Sequence, residues 1–209
     1  MIKRKYSLKS IKWYKNSLKD FFIQKRNQKN LRSRAWFKLQ ELDNNLKIFK
    51  KGMCVIDLGS SPGGWSEYIQ KKIGNTGRII ACDRLPMKKI PNVFFILGDI
   101  QNTILIEKIV FLLKKKKCDV ITSDISPNIS GFTIIDNENF FNLCDIVLTI
   151  SIKLLSKKGY LIFKLFQGVG FQFYIQHIKK YFLIVKIFKL KTSRKKSREV
   201  FIVANQRKI

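Results

Sequence analysis

The sequence predicts an α/β domain: a seven-stranded, mostly parallel sheet with helices on both faces and an antiparallel strand at its C-terminal end. Three observations predict it. Short apolar runs alternate with segments of helical periodicity from about Ser33 onward, which implies right-handed crossovers between parallel strands. Runs such as Val55-Ile56-Asp57-Leu58 and Asp119-Val120-Ile121-Thr122 are continuously apolar rather than alternating, as strands covered on both faces are. The last two runs are joined by the loop Lys189 to Arg198 with no helix between them, so they should pair antiparallel.

The elements follow in order. Residues 1–30 are mostly Lys, Asn, Gln, Ser and aromatics, and predict a basic, partly mobile N-terminal arm in which a helix is possible from Ile11 to Gln24. A single domain is expected over 31–209. Ala35, Trp36, Leu39 and Leu42 recur at helical spacing before Gly52. Met53 to Leu58 is a strand, Trp65 to Ile73 a helix stopped by Gly74, and Gly77 to Asp83 and Val93 to Leu97 are strands. Thr103 to Leu113 is a helix and Asp119 to Ser123 a strand. The longest helix runs from about Asn137 to Leu155, with Lys157, Lys158 and Gly159 closing it. Tyr160 to Leu165, Leu183 to Phe188 and Glu199 to Ala204 are strands, and Phe171 to Tyr181 is a helix.

Composition narrows the function. The chain has 209 residues, with 42 Lys+Arg against 14 Asp+Glu and a formal net charge of +28. Such a field favours a polyanionic partner, RNA or DNA ahead of anionic lipid. The abundance of Lys, Ile, Asn and Phe, all written with A/T-rich codons, is a competing compositional source for part of that charge. Cys54, Cys82, Cys118 and Cys144 form no C-x-x-C pair and read as small apolar residues of a reducing compartment. With His177 the only histidine, neither a metal site nor a Ser-His triad is expected. No secretory signal and no run long enough to span a bilayer is present, so the expectation is a cytoplasmic protein with no membrane partner.

The most informative stretch is Val55 to Ser66, where a buried strand enters a turn containing Gly59, Gly63 and Gly64 and a helix starts at once. Ligands of such sheets bind at the carboxyl ends of the strands, and glycines let them approach the backbone. The dinucleotide fingerprint G-x-G-x-x-G fails, because Ser60, Ser61 and Pro62 follow Gly59. The P-loop fails too, since Trp65 stands where its lysine is required. Asp83 and Asp99 end the next two strands. Carboxylates accept hydrogen bonds from ribose hydroxyls or an adenine amine, or face a sulfonium, but repel a pyrophosphate. Gly59, Gly63, Asp83 and Asp99 together fit a cationic, phosphate-free adenosine cofactor, S-adenosylmethionine.

Arg32-Ser33-Arg34-Ala35-Trp36-Phe37-Lys38-Leu39, the Asp57-to-Ser66 loop, Gly77 to Asp83, Asp124-Ile125-Ser126-Pro127-Asn128, Lys164 to Gly168 and Ser197 to Val200 resemble, in order and without large gaps, the FtsJ/RrmJ family of methyltransferases. The resemblance runs from Leu31 to the end and implies a Rossmann-like S-adenosylmethionine-dependent fold. It implies a catalytic tetrad at Lys38, Asp124, Lys164 and Glu199, and a cofactor site at Gly63, Trp65, Asp83, Asp99 and Asp124. It also implies a substrate: a uridine ribose 2′-hydroxyl in the A-loop of 23S ribosomal RNA, within the large (50S) ribosomal subunit. DNA is not expected as a partner, and nothing demands more than a monomer. Ser60, Ser61 and Ser126 stand where close relatives carry Ala.

The tetrad makes chemical sense. A 2′-hydroxyl is a poor nucleophile while protonated, so the enzyme must align it and accept its proton. A charged lysine is a poor base, and burial beside a second cation, Lys38, favours a neutral amine at Lys164. Lys164 is then the base or the group that orients the hydroxyl, with Asp124 and Glu199 holding the two amines. Trp36 is expected in the core, whereas Trp13 and Tyr14 in the arm are better placed to stack on bases. The runs Lys114 to Lys117 and Arg194 to Lys196 read as phosphate contacts or solvated loops. A ribosome-assembly factor with little catalysis, and a 2′-O-methyltransferase of another RNA, are the rival readings.

Overall fold

A computed structural model of the protein describes residues 21–114, 116–126, 133–194 and 196–208. Helix α1 (Phe21–Gln28) and α2 (Ala35–Leu46) lead into β1 (Cys54–Leu58), α3 (Gly64–Ile73), β2 (Arg78–Asp83) and β3 (Val93–Leu97). Then come α4 (Thr103–Leu112), β4 (Cys118–Ser123), α5 (Thr133–Leu154), β5 (Leu155–Phe166), α6 (Phe171–Tyr181), β6 (Phe182–Phe188) and β7 (Glu199–Arg207). Of the helix expected over residues 11–24, only the part from Phe21 falls among the described residues, and it continues to Gln28. Trp13 and Tyr14 lie outside the described residues.

The seven strands form one sheet in the order β3-β2-β1-β4-β5-β7-β6. β7 runs antiparallel to both β5 and β6, and the other pairings are parallel. The chain steps outward from β1 to β3 and then returns to β4 on the other side of β1. That reversal opens a crevice at the carboxyl ends of β1 and β4. There Leu58 pairs with Ser123, so Gly59 and Asp124 leave the sheet side by side.

Two apolar layers cover the sheet. On one face α2 and α3 pack Leu39, Leu42, Tyr68 and Ile69 against Val55, Ile79 and Ile162. On the other, α4, α5 and α6 contribute Ile109, Val147, Leu148 and Ile178 over Ile56, Ile80 and Ile121. The helix α3 shows why the sequence folds this way. Trp65, Tyr68, Ile69 and Ile73 fall on one stripe and are buried, and Gly74, with φ of 69°, ends the helix. Each such side chain contributes about 1.5–3 kcal/mol by leaving water. Asp43 ties this layer together, accepting hydrogen bonds from Tyr68 Oη (2.7 Å) and the backbone of Ile48 and Phe49 (2.9 and 3.1 Å).

One boundary differs from expectation. Lys157, Lys158 and Gly159 do not close a helix; they lie inside β5, which starts at Leu155. Leu155 is fully buried and pairs with Cys118, while Tyr160 pairs with Val120, so the intervening residues bulge out of the ladder. Gly159 permits it, since a Cβ there would lie 2.8 Å from the carbonyl oxygen of Asp119. The apolar run at β3 proves to be an edge strand, with Phe94 and Leu97 substantially exposed. Among the described residues no helix is long and apolar enough to cross a membrane.

Candidate active site

The turn after β1 is held to β2 by its own backbone. The amides of Gly59 and Ser60 both donate to the carbonyl of Cys82, at 2.8 and 3.0 Å, and Gly63 N–H closes the turn onto Ser60 at 2.7 Å. Gly59 has φ of 72°, and a Cβ there would fall 2.2 Å from Ile125 Cγ1, so only glycine fits between the turn and the segment after β4. Asp83 locks the turn from the other side: its carboxylate accepts from Ser61 N–H at 2.9 Å and Leu85 N–H at 2.8 Å. The serines of the turn are tied in as well, with Ser60 Oγ donating to the Cys82 carbonyl at 3.4 Å and Ser61 Oγ to the Pro86 carbonyl at 3.1 Å.

Two cavities meet at this point. One, of about 640 Å³, is walled by Gly59, Ser61, Asp83, Asp99 and Asp124, with Ile100, Leu143 and Ile146 supplying apolar surface. Three aspartates against one arginine, Arg84, line it, and Arg84 lies 3.5 Å from Asp99. An acidic pocket in a chain of net charge +28 suits a cation, not a phosphate. The carboxylates at the ends of β2 and β3 suit ribose hydroxyls and an exocyclic amine. The residues present therefore fit S-adenosylmethionine.

The second cavity, of about 410 Å³, shares Gly59, Ser61 and Asp124 with the first and is otherwise lined by Lys38, Asp57, Trp65, Arg194, Ser197 and Glu199, among others. Here the four polar residues of the expected tetrad come together. Lys164 Nζ lies 3.0 Å from Asp124 Oδ1 and donates to the Asp124 carbonyl at 2.8 Å. Lys38 Nζ sits between two carboxylates, 2.8 Å from Glu199 Oε2 and 3.8 Å from Asp124 Oδ2. The fold explains the convergence. Antiparallel pairing sets Phe166 opposite Glu199, which carries the first residue of β7 to the carboxyl edge of the parallel strands. Lys38 arrives from the first turn of α2. Lys38, Asp124 and Glu199 face the cavity, and Lys164, 7% exposed, backs Asp124.

Burial alone would raise the pKa of Asp124, but the charges of Lys164 and Lys38 and the hydrogen bond from Lys164 outweigh it and hold the carboxyl below its ordinary value. Asp57 shows the opposite balance. It is 1% exposed, and burial pushes its pKa up to about 6 although Ser66 Oγ (2.6 Å) and Thr122 Oγ1 (2.7 Å) donate to it.

The remaining expected cofactor residues are distributed unevenly. Asp83, Asp99 and Asp124 share the acidic cavity with Gly59. Trp65 lies in the second cavity instead, with its indole N–H donating to the Ala35 carbonyl at 2.8 Å and its ring against Phe201. Gly63 is on neither wall; a Cβ there would meet Met87, Arg32 and Ile90 within 3.0 Å, so its part is to let the turn pack. Trp36 is in the core, as expected, against Phe37 and Tyr68. Pro127 and Asn128 of the Asp124 motif lie outside the described residues, as does Lys195. Sequence reasoning missed Asp57 and Ser193. The signal for Asp57 was present, an acid inside an apolar strand; Ser193, whose hydroxyl reaches Glu199, had none beyond its place in the loop before β7.

Comparison with known proteins agrees with this geometry. The family model of FtsJ-like methyltransferases matches residues 31–207. Two proteins named Ribosomal RNA large subunit methyltransferase E are similar over nearly their whole length. One, from Buchnera aphidicola subsp. Cinara cedri (strain Cc), is 55% identical over 204 residues, covering 98% of each chain. The other, from Buchnera aphidicola subsp. Schizaphis graminum (strain Sg), is 45% identical over 206 residues, covering 99% of this chain and 100% of that one. A crystal structure of a ribosomal RNA methyltransferase from Plasmodium falciparum superposes with a TM-score of 0.76 at 31% identity, covering 84% of this chain and 98% of that one. Aeropyrum pernix fibrillarin, solved with natively bound S-adenosyl-L-methionine, shares the fold at a TM-score of 0.53 and 18% identity, over 74% of this chain and 67% of that one. The seven-stranded Rossmann-like sheet, the glycine turn at its switch point and the family match over 31–207 make this chain a member of the FtsJ-like methyltransferase family.

Proposed function

We propose that this methyltransferase modifies the ribose 2′-hydroxyl of a uridine in the A-loop of 23S ribosomal RNA, acting as a cytoplasmic monomer on the large (50S) ribosomal subunit. The observation that carries the reading is the Lys38–Asp124–Lys164–Glu199 cluster at the junction of an acidic cavity and a second, open one. The large-subunit ribosomal RNA named for both Buchnera relatives supports the substrate, and so does the net charge of +28. Domain organisation follows the same reading: residues 31–209 form the methyltransferase domain, and the basic segment before it contacts RNA.

S-adenosylmethionine, when bound, supplies the methyl group that ends on the 2′-oxygen. Asp83 and Asp99 would hold its adenosine, Gly59 and Gly63 shape the turn that would let it approach, and Asp124 would balance its positive charge. Lys164, the more buried of the two tetrad amines, is the base or the group that orients the hydroxyl. Asp124 fixes Lys164 through two contacts, and Glu199 fixes Lys38. Arg34, Arg194 and Lys38 give the second cavity the positive wall a ribose-phosphate needs.

The test is transfer of radiolabelled methyl from S-adenosylmethionine to large subunits that lack the modification. Label in 2′-O-methyluridine with the wild-type chain, and its loss in Lys164→Ala, is the expected result. Tight subunit binding without transfer would instead make the chain an assembly factor. Wild-type transfer by Lys164→Ala at saturating cofactor would remove Lys164 from its role.

A further inference from the structure

We propose that Ser193 is a positioning residue for methyl transfer: it fixes one oxygen of Glu199 so that the other holds Lys38. The inference rests on the function proposed above and deepens it.

Glu199 has two carboxylate oxygens, and the structure uses both. Oε2 takes Lys38 Nζ at 2.8 Å, and Oε1 accepts the hydroxyl of Ser193 at 2.7 Å. Ser193 and Glu199 are each only 8% exposed, so water is a poor substitute for the bond between them. A glutamate tied at one oxygen alone still swings about its side-chain torsions; tied at both, it offers Lys38 one geometry.

The surroundings hold Ser193 in register. Glu41 accepts the backbone amides of Lys191 (2.9 Å) and Thr192 (3.0 Å), one on each carboxylate oxygen. Arg34 donates to the Thr192 carbonyl at 2.7 Å. Ser193 N–H donates to Leu190 at 3.2 Å, and Lys189 Nζ donates to the carbonyls of Ser197 and Glu199. Lys38 and Glu41 are three residues apart on α2, and Arg34 stands just before that helix, four residues from Lys38. These three therefore lie on one stripe facing the segment before β7. The stripe that supplies the tetrad amine also clamps the loop that supplies Ser193. The loop is thus set relative to Lys38, and Ser193 converts that setting into the position of Glu199. Ser193 itself is not among the residues lining either cavity, so its effect passes through Glu199.

The experiment compares full-length wild type, Ser193→Ala, Ser193→Thr, Glu199→Ala and the double variant Ser193→Ala/Glu199→Ala in the subunit methylation assay. A hydrogen bond to a charged group supports a fall in kcat of about tenfold for Ser193→Ala. The fall is no larger than that of Glu199→Ala, and KM for S-adenosylmethionine is unchanged. Ser193→Thr, which keeps the hydroxyl, recovers activity. In the Glu199→Ala background the serine change costs nothing further. That cycle separates positioning from a general loss of fold, because a destabilised loop would lower activity whether or not Glu199 is present. Wild-type kcat in Ser193→Ala, or effects that multiply in the double variant, overturns the inference alone. No transfer by the wild-type chain overturns the proposed function, and this inference with it.

Discussion

Asp57→Asn should stabilise the protein at neutral pH and weaken it in mild acid. The carboxyl of Asp57 is shut off from water at 1% exposure, and its pKa stands at about 6 against an ordinary 3.8. A native-state value above the unfolded one means that the folded chain holds the proton more tightly. The resulting stability is fully present below pH 3.8 and is lost as pH rises through 6. The loss comes to roughly 3 kcal/mol once the group is ionised, a large part of a typical domain's stability. Asparagine carries no charge and escapes that loss. It keeps one acceptor for the hydroxyls of Ser66 and Thr122 and must donate to the other, a rearrangement costing about 1 kcal/mol. The variant is therefore expected to be more stable by about 2 kcal/mol near pH 7.5 and less stable by about 1 kcal/mol near pH 4. Urea unfolding followed by tryptophan fluorescence at pH 4, 5.5 and 7.5 measures the difference directly. Other titrating groups cancel in the comparison. A difference between the two proteins that stays constant across those three pH values would refute the reasoning.

Asp124→Asn is expected to behave in the reverse sense. Its pKa is depressed, so its contribution is present above the ordinary carboxylate range and fades as pH falls through its native value. Removing the charge takes from Lys164 the carboxylate it pairs with and leaves Lys38 with Glu199, which should cost about 3 kcal/mol at pH 7. Equal urea midpoints for the two proteins at pH 7 would contradict it. Gly59→Ala places a Cβ against Ile125 at a positive φ, and calorimetry should find cofactor binding lost and stability lowered by at least about 1–2 kcal/mol. Asp83→Asn should raise KM for S-adenosylmethionine and leave kcat near wild type, since Asp83 lines the acidic cavity proposed for the cofactor; a fall in kcat at unchanged KM would place it elsewhere. Binding to large subunits should weaken steeply and log-linearly with salt, and a flat dependence would mean that the basic surface does not touch phosphate.

Much of this architecture is legible along the chain, and the places where it is not are physically distinct. The strand–turn–helix at Cys54 to Ile73 is local, since apolar run, glycine turn and helical stripe each act over a few residues. The tetrad is not local: Lys38 and Glu199 are 161 positions apart, and only the resemblance to a family places them together in advance. The start of β5 is not legible, because Lys157, Lys158 and Gly159 carry the composition of a helix terminus. Their bulge is decided by Leu155 pairing with Cys118 and by the close approach of Asp119 to Gly159, which are tertiary facts. Asp57 could have been marked from its neighbours, whereas the link from Ser193 to Glu199 depends on how a loop lies against α2.

The position of β7 has a consequence for synthesis. The strand latest in chain order is not at the rim of the sheet but between β5 and β6, and its first residue is Glu199. A ribosome that stalls before Glu199 releases a chain with two open strand edges facing an empty slot, one of them belonging to the strand that carries Lys164. Such a fragment lacks the carboxylate that holds Lys38 and presents unpaired strand backbone on which another chain can pair. With Glu199 at the start of β7, the Lys38–Asp124–Lys164–Glu199 cluster and a closed sheet are completed together.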